Sequence, residues 1–426
     1  MLRIGILSDV HLSHSVWGER QHERLKKAFL FFRAKGVDGI VISGDLQENL
    51  EIHTSLKNIG EFWEIWETVF PENQNVLTGE YVEPLFIYGN HDRILVEAGY
   101  WPQKYGRFAP AWHKEVKGYH FVGAHYTQEG EELTSQLVRQ AQQESGEKPF
   151  FYIQHLPVTG TLYDAGEGLL QAGVAILPVL KQMENCVVLT GHTHIPLTDE
   201  RSIWQSDDSE SPRFTAVNCG STNYAYIKMM GLDINGCGDD MQHGMYMTVE
   251  DTEVTLERFS FYDMLLRTDS DGQWSSDAGQ AVLLGETWRF DVRQRENRPY
   301  VYETRFRNAY EPQFSEDAVL DIGSVGPTYA NLLIPAAEVK SPEGFSDVIQ
   351  SYRAEAEDAQ TGMVVATSRV AAVYHLDASE KYLKDTVYMG IEGLEPGKTY
   401  ELKVYALECY QKQSKPLRAI ITTTQN

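Results

Sequence analysis

Five short apolar runs in the first half of the chain end on the same kinds of residue. LRIGIL (2–7) is followed by Asp9 and His11, GIVIS (39–43) by Gly44-Asp45, and PLFIY (84–88) by Gly89-Asn90-His91-Asp92. PFFYI (149–153) leads to Gln154-His155, and CVVLT (186–190) to Gly191-His192-Thr193-His194. Helical patterns lie between them. Leu25, Ala28, Phe29 and Phe32 share one helix face, with Gly36 set to end it, and Ile59, Phe62, Trp63 and Trp66 recur at i, i+3, i+4 and i+7. Such alternation predicts an α/β domain. Further apolar runs at 119–124 and 214–218 enlarge its sheet. In open α/β sheets functional groups collect beyond the carboxyl ends of strands. Five strand ends that deliver Asp, Asn or His, and no Cys, to that edge are read as a set of metal ligands.

The pair His192 and His194 is the sharpest part of this pattern. A buried imidazole needs partners for both nitrogens. At i and i+2 of an extended segment the two rings would point the same way, toward one spot. Two solvated loop histidines are the bland alternative, and the other four strand endings argue against it.

Composition limits the remaining choices. A chain of 426 residues with 42% apolar and 23% charged residues is an ordinary globular protein of two or three domains. Its formal charge of −24 disfavours nucleic acid or an anionic membrane surface as partner. Small phosphorylated substrates remain open, because bound cations could supply positive charge locally. Cys186, Cys219, Cys237 and Cys409 are widely spaced, which fits neither a disulfide framework nor a thiolate zinc site. No run reaches the roughly 18 apolar residues of a membrane span. Met1 runs directly into the first apolar strand, so the expected location is the cytoplasm, or outside the cell if a leader was trimmed from a precursor.

The ordered set D-x-H, G-D, G-N-H-D, a lone His and G-H-x-H resembles the calcineurin-like metallophosphoesterases over about the first 260 residues. The resemblance implies two stacked mixed sheets flanked by helices, with a two-metal site at one edge. It also implies roles. Asp9, His11 and His194 would hold one ion, Asn90, His155 and His192 the other, and Asp45 would bridge the two. Nitrogen and oxygen ligands without thiolate suit manganese, iron or zinc. Purple acid phosphatases, a branch of the same superfamily, place a Tyr three residues after the bridging Asp; Glu48 stands there, against a ferric-tyrosinate site. By the same analogy a hydroxide bridging the ions attacks phosphorus, His91 protonates the leaving oxygen and Asp92 orients the His91 ring.

Other residues near the motifs have weaker assignments. His125 also ends a strand, but the His-x-Pro context of His155 fits the lone-His position better. His14, Arg93, Asn218 and Ser221 are candidate substrate contacts; a solvated loop for His14 and a surface salt bridge for Arg93 are the alternatives. Cys237, Asp239, Asp240 and His243 lie among glycines in GLDINGCGDDMQHGM (231–245), which reads as a loop rather than a metal site.

Past the hairpin expected over 246–261, periodicity weakens, and LGETWRFDV (284–292) reads either as a last strand or as a connector. From about residue 310 strand patterns dominate. In GLEPGKTYELKVYAL (393–407), Tyr400, Leu402, Val404 and Ala406 alternate with Glu401, Lys403 and Tyr405. Leu394, Pro396 and Tyr400 resemble a tyrosine corner. The part from about Pro312 is similar to a fibronectin type III domain over about 115 residues, except that Ile334 stands where that family usually has a core Trp, which leaves a more general immunoglobulin-like sandwich open. The expected organisation is a phosphoesterase domain at 1–309, with a connector from about 265, and an all-β, fibronectin III-like sandwich at 310–426.

The leading functional reading is a metal-dependent phosphoester hydrolase. A nuclease-like or nucleotide phosphodiesterase is the enzymatic alternative. A binding or adhesion protein with a relic phosphoesterase domain is the non-enzymatic one, weakened because none of the seven ligand positions has lost its ligand.

Overall fold

A computed structural model describes residues 1–13, 18–48, 50–127, 129–162, 176–206, 214–225, 241–294, 298–372 and 386–425, with the side chains of residues 18 and 19 left out. The chain divides into two compact units. The first comprises Met1–Leu197, Arg201–Tyr224 and Met241–Thr304; the second is built mainly from Arg305–Asn426.

The first unit contains two mixed sheets. One is seven-stranded. Its centre is β1 (Leu2–Leu7), parallel to β2 (Gly39–Ser43), which is parallel to β3 (Glu83–Ile87). The other sheet starts with the antiparallel hairpin β4 (Ala111–Val116) and β5 (Tyr119–Ala124). It continues in parallel through β6 (Phe150–Ile153) and β7 (Cys186–Thr190), and antiparallel β8 (Ile203–Gln205) closes it beyond β9 (Thr215–Asn218). The hairpin of β10 (His243–Glu250) and β11 (Glu253–Ser260) lies antiparallel beside β1 in the first sheet. A short separate ribbon, β12 (Arg267–Thr268) with β13 (Trp274–Ser275), precedes β14 (Val282–Leu283) and β15 (Trp288–Asp291), both of which pair with β11. LGETWRFDV thus supplies a strand of the first unit.

Helices cover one face of each sheet. In α1 (Gly18–Lys35), Leu25, Ala28, Phe29 and Phe32 are fully buried. The helix stops at Gly36, whose φ of 65° is one a Cβ would disfavour. In α2 (Ile52–Val69) the Glu51 side chain caps the first turn by accepting from the His53 and Thr54 N–H groups. Its Ile59, Phe62, Trp63 and Trp66 are all buried in the same core as α1, so the tryptophans serve packing. A short α3 (Arg93–Glu97) follows β3, and α4 (Glu131–Ser145) covers the second sheet with Val138 and Ala141. Alternate strand residues divide between two environments. Ile40, Ile42 and Phe86 join the helix-side core of the first sheet, and Val122, Tyr152 and Val188 that of the second. Ile4, Val41, Leu85, Phe121, Ile153 and Leu189 are equally buried on the opposite faces, which the stacked sheets cover for each other. The strand ends of β1, β2, β3, β6 and β7 therefore meet along one edge.

The second unit is an all-β sandwich. β16 (Asp321–Val325), β17 (Tyr329–Ile334) and β20 (Val387–Glu392) form one sheet. β18 (Ile349–Asp358), β19 (Val364–Ala371), β21 (Thr399–Glu408) and β22 (Leu417–Thr422) form the other. Side chains from both sheets share one core, including Ile334, Met389, Ala354, Tyr400 and Val404. Tyr400, Leu402, Val404 and Ala406 point inward, and the Glu395 N–H donates to the Tyr400 hydroxyl at 2.9 Å. That bond closes the corner expected from the sequence.

Candidate metal centre

The backbone at the shared edge is unusual. Asp9, His11, Asp45, His192 and His194 all have φ between 49° and 69°. Left-handed backbone is uncommon outside glycine, and clusters of it mark sites where surrounding structure holds the chain against strain. Here the loops hold one another. The N–H groups of Val10 and His11 both donate to the Asp45 carbonyl at 2.9 Å, and Asp9 N–H donates to the Gly44 carbonyl at 3.1 Å. The segment after β7 is not extended, contrary to expectation: Thr193 N–H donates to the Gly191 carbonyl at 2.8 Å and folds it into a tight turn. Its two imidazoles consequently serve two adjacent clusters rather than one spot.

In the first cluster, His194 Nε2 lies 3.0 Å from Asp9 Oδ1 and 3.1 Å from His11 Nε2, and the third side is 3.8 Å. A point about 2.0 Å from all three donors exists, the length of a bond from nitrogen or oxygen to a transition ion. In the second cluster, His155 Nε2 lies 2.8 Å from Asn90 Oδ1, 3.3 Å from His192 Nδ1 and 3.2 Å from Asp45 Oδ2. The same Asp45 oxygen is 3.7 Å from His11 Nε2 of the first cluster. Asp45 stands between the two groups.

The outer atoms of these side chains explain their aim. His155 Nδ1 is 2.8 Å from the Ser43 carbonyl, and His194 Nδ1 is 2.8 Å from the Tyr224 carbonyl. A carbonyl only accepts, so each Nδ1 carries a proton and each Nε2 is the nitrogen turned toward the centre. The Glu48 carboxylate lies 2.5 Å from His11 Nδ1 and pairs with that ring by charge. Backbone N–H groups hold the carboxylates. The His192 N–H is shared by the Asp9 oxygens, at 2.9 Å from Oδ2 and 3.2 Å from Oδ1, and Asp45 Oδ1 accepts from the His91 N–H at 2.8 Å, which leaves Asp45 Oδ2 for the centre.

Glycines make the close approach possible. A Cβ on Gly89 would lie 2.2 Å from Asp45 Oδ1, and one on Gly191 would lie 1.9 Å from Ser8 Oγ and 2.6 Å from Asp9 Oδ2. The glycine before one motif's ligand is thus the space occupied by another motif's carboxylate.

The electrostatics call for cations. Burial pulls the His11 imidazole down, but bonding to Asp9 and Glu48 and the charge on Asp45 raise it to about 10. His155 rises to about 9 against burial, driven by Asp45. Asp45 falls to about 2 despite its burial, chiefly through His155. Asp9 is held well below the usual carboxylate range by His194 and His11, again against burial. His192 falls to about 4 through burial and the neighbouring His155. Protonated His11 and His155 offset the buried carboxylates here, and two divalent ions would take over that positive charge as those imidazoles gave up their inward protons. The donor set therefore fits the implied metals.

His91 and Asp92 differ from expectation. Asp92 does not touch the His91 ring. Its buried carboxylate accepts from the N–H groups of Leu46 (3.0 Å), Gln47 (3.1 Å) and Gly89 (2.8 Å), tying the loops after β2 and β3 together. Burial and the charge on Asp45 push it up to about 7 against those three donors. The His91 ring is held instead by Glu48, with Nδ1 3.2 Å from the Glu48 carbonyl and 3.6 Å from its carboxylate. It stands edge-on to His11, ring centres 4.8 Å apart, with 30% of the side chain exposed. Glu48 was legible only as the residue replacing a tyrosine; nothing local in the sequence signals its contact with both His11 and His91.

Of the four candidate substrate contacts, Asn218, Ser221 and Arg93 lie within the described residues. Asn218 is buried and committed, donating to the Ile195 carbonyl and Ser202 hydroxyl and accepting from Gly220 N–H and Thr193. Ser221 is fully buried, its hydroxyl donating to the Asp9 carbonyl and accepting from Asn223 N–H. Both brace ligand loops rather than face a substrate. Arg93 pairs with Glu97 one helical turn on, at 3.1 Å, on the surface. His14 lies outside the described residues, as do Cys237, Asp239 and Asp240. His243 is buried on β10 and accepts from Leu197 N–H at 3.2 Å. His125 is buried among Tyr88, Trp101 and Phe108, accepting from Tyr88 N–H at 2.9 Å, and takes no part in the centre. Tyr224, not anticipated, packs its ring 4.3 Å from His194 and 5.3 Å from His11.

Residues 2–196 match the family model of the calcineurin-like phosphoesterases. Among solved structures the chain is similar to a dimetal phosphatase from Danio rerio, at 10% identity and a TM-score of 0.41, covering 66% of this chain and 98% of that one. It is similar to a purple acid phosphatase from yellow lupin at 13% identity and a TM-score of 0.39, covering 68% of this chain and 53% of that one. The FN5 domain of Drosophila Lar is matched at 16% identity and a TM-score of 0.17, covering 28% of this chain and 99% of that one. No curated protein matches the chain in sequence. The motif-by-motif assembly at one sheet edge and the family match lead to one conclusion: residues 2–196 form a calcineurin-like phosphoesterase domain, that of a hydrolase acting on phosphoric ester bonds.

Proposed function

We propose that the first unit hydrolyses small phosphorylated molecules, mono- or diesters, at a dinuclear centre of manganese, iron or zinc. Asp9, His11 and His194 would hold one ion, Asn90, His155 and His192 the other, and Asp45 both. When bound, such ions activate water and offset charge on phosphate oxygens. The observation that carries this reading is Asp45 Oδ2, set 3.2 Å and 3.7 Å from a histidine nitrogen of each cluster.

The protein's own groups account for the rest. Carbonyls hold the outer nitrogens of His155 and His194, and the Glu48 carboxylate faces that of His11, so the inward nitrogens would meet the ions; with His11 and His155 raised to about 10 and about 9, metal binding would release a proton from each of these two. Backbone N–H groups hold Asp9 and Asp45 in single orientations. His91, partly exposed at the rim and held by Glu48, donates a proton to the leaving oxygen. The acidic balance of the whole chain disfavours long nucleic acids as substrate. We assign residues 310–426 to a fibronectin type III-like domain. No ligand cluster occurs there among the described residues, and no helix described in the chain is long and apolar enough to cross a membrane.

The test strips the protein of metal, restores Mn²⁺, Fe²⁺ or Zn²⁺, and measures metal content and hydrolysis of activated mono- and diesters. Two ions per chain with metal-dependent hydrolysis is the expected result. Reloaded protein that binds no metal and hydrolyses neither ester class would refute it.

A further inference from the structure

A second group of nitrogen and oxygen donors lies on the helix-covered face of the second sheet. His113 is on β4, His120 on β5 and Glu144 in the last turn of α4. In the hairpin register His113 pairs with Val122 and His120 with Glu115, which puts both imidazoles on the face that Val122 presents to α4. His120 sits near the amino end of β5, whereas the dinuclear centre gathers at the carboxyl ends of its parallel neighbours. None of the three residues belongs to that centre.

We infer that His113, His120 and Glu144 form a separate metal site for one borderline divalent cation, with Zn²⁺ the best match. His113 Nε2 lies 3.0 Å from His120 Nδ1, Glu144 Oε2 lies 3.5 Å from His120 Nδ1, and the remaining side is 3.8 Å. A point about 2.0 Å from all three atoms exists, within the range of Zn–N and Zn–O bonds. A hydrogen bond between the two rings accounts for the 3.0 Å side alone; it does not account for a carboxylate closing the triangle. Glu144 is already oriented for the task, since its other oxygen accepts from Gln140 Nε2 at 2.9 Å. The His113 and His120 side chains are only 13% and 10% exposed, while Glu144 is 43% exposed, so the donors are anchored and the fourth position opens to water. Burial and the neighbouring His120 hold His113 below the usual histidine range, in the neutral form a metal requires. Two imidazoles and one carboxylate without thiolate form a set suited to zinc rather than to calcium or magnesium. An ion there would tie the β4–β5 hairpin to the end of α4.

The test is equilibrium dialysis of the full-length protein against Zn²⁺, followed by elemental analysis, for wild type, Glu144→Gln and His113→Ala. Circular dichroism monitors folding. Each variant is expected to hold one Zn²⁺ per chain fewer than wild type while hydrolysis at the dinuclear centre is unchanged. Comparing contents makes the result independent of how many ions the dinuclear centre takes. If His113→Ala does not fold, Glu144→Gln decides alone, because its side chain is 43% exposed at the end of α4 and the substitution leaves the hairpin core intact. Wild-type Zn²⁺ content in a folded variant of either kind overturns the assignment.

Discussion

Replacing Gly89 by Ala puts a methyl group where the bridging carboxylate now rests. The added carbon would lie 2.2 Å from Asp45 Oδ1, 2.5 Å from Asp45 N and 2.9 Å from Asp45 Cγ, where ordinary contact begins at 3.4 Å. The Asp45 oxygen must therefore retreat by about 1.2 Å, or the loop after β3 must move by as much; metal sites tolerate errors of only about 0.2 Å in ligand distance. Either movement carries Asp45 or Asn90 away from its partners. Turnover is expected to fall by at least ~10²-fold, with occupancy lost at one or both metal positions. Overpacking should cost ~1–3 kcal/mol, small enough for a domain of ordinary stability to remain folded. Gly60→Ala in α2, where nothing lies within 4 Å of the new carbon, is the control. It should leave metal content and turnover alone and stabilise the helix by ~0.5–1 kcal/mol. The assay combines metal analysis, hydrolysis of a nitrophenyl ester and urea unfolding. Gly89→Ala protein that keeps two metals and wild-type turnover would show that Asp45 does not bridge from this position.

Three further outcomes are expected. His91→Gln should retain its metals but lose ~10²–10⁴-fold in turnover, less for nitrophenyl esters than for alkyl esters, because a good leaving group needs little protonation; an equal loss for both substrates would assign His91 to phosphate positioning. His125 is buried with Nδ1 accepting from Tyr88 N–H, and burial takes its pKa from 6.5 to about 3. The unfolded chain binds a proton below the higher value that the folded protein refuses until the lower. Stability present at neutral pH is therefore lost as pH falls through that window, by ~2 kcal/mol between about pH 7 and pH 5. His125→Asn keeps an acceptor but cannot titrate, so its stability should fall with acid by that much less than wild type; parallel curves in urea unfolding would contradict this. Tyr400→Phe removes the acceptor for the Glu395 N–H in the sandwich corner and should lower that unit's stability by ~1–3 kcal/mol, with an unchanged thermal midpoint counting against the corner.

Much of the centre could be read from the chain because a strand's end is a sequence-local event. An apolar run followed by Asp, Asn or His places that side chain at a sheet edge whatever the rest of the fold does, so Asp9, Asp45, Asn90, His155 and His194 were all legible. The same holds for the inward stripe of Tyr400, Leu402, Val404 and Ala406, which follows from a two-residue period alone. Orientation is different, since it depends on groups far apart in sequence. Asp92 follows His91 directly, yet three N–H groups from two loops draw its carboxylate away, and Glu48 takes the ring instead. Asn218 and Ser221 follow the last ligand strand, but only packing shows that their polar atoms brace loops. His113, His120 and Glu144 form no motif, because a hairpin register and a helix face have to meet before three such residues become neighbours. Residue chemistry and strand periodicity are written locally; which lone pair faces which proton is decided by backbone groups that only the folded chain brings within 3 Å.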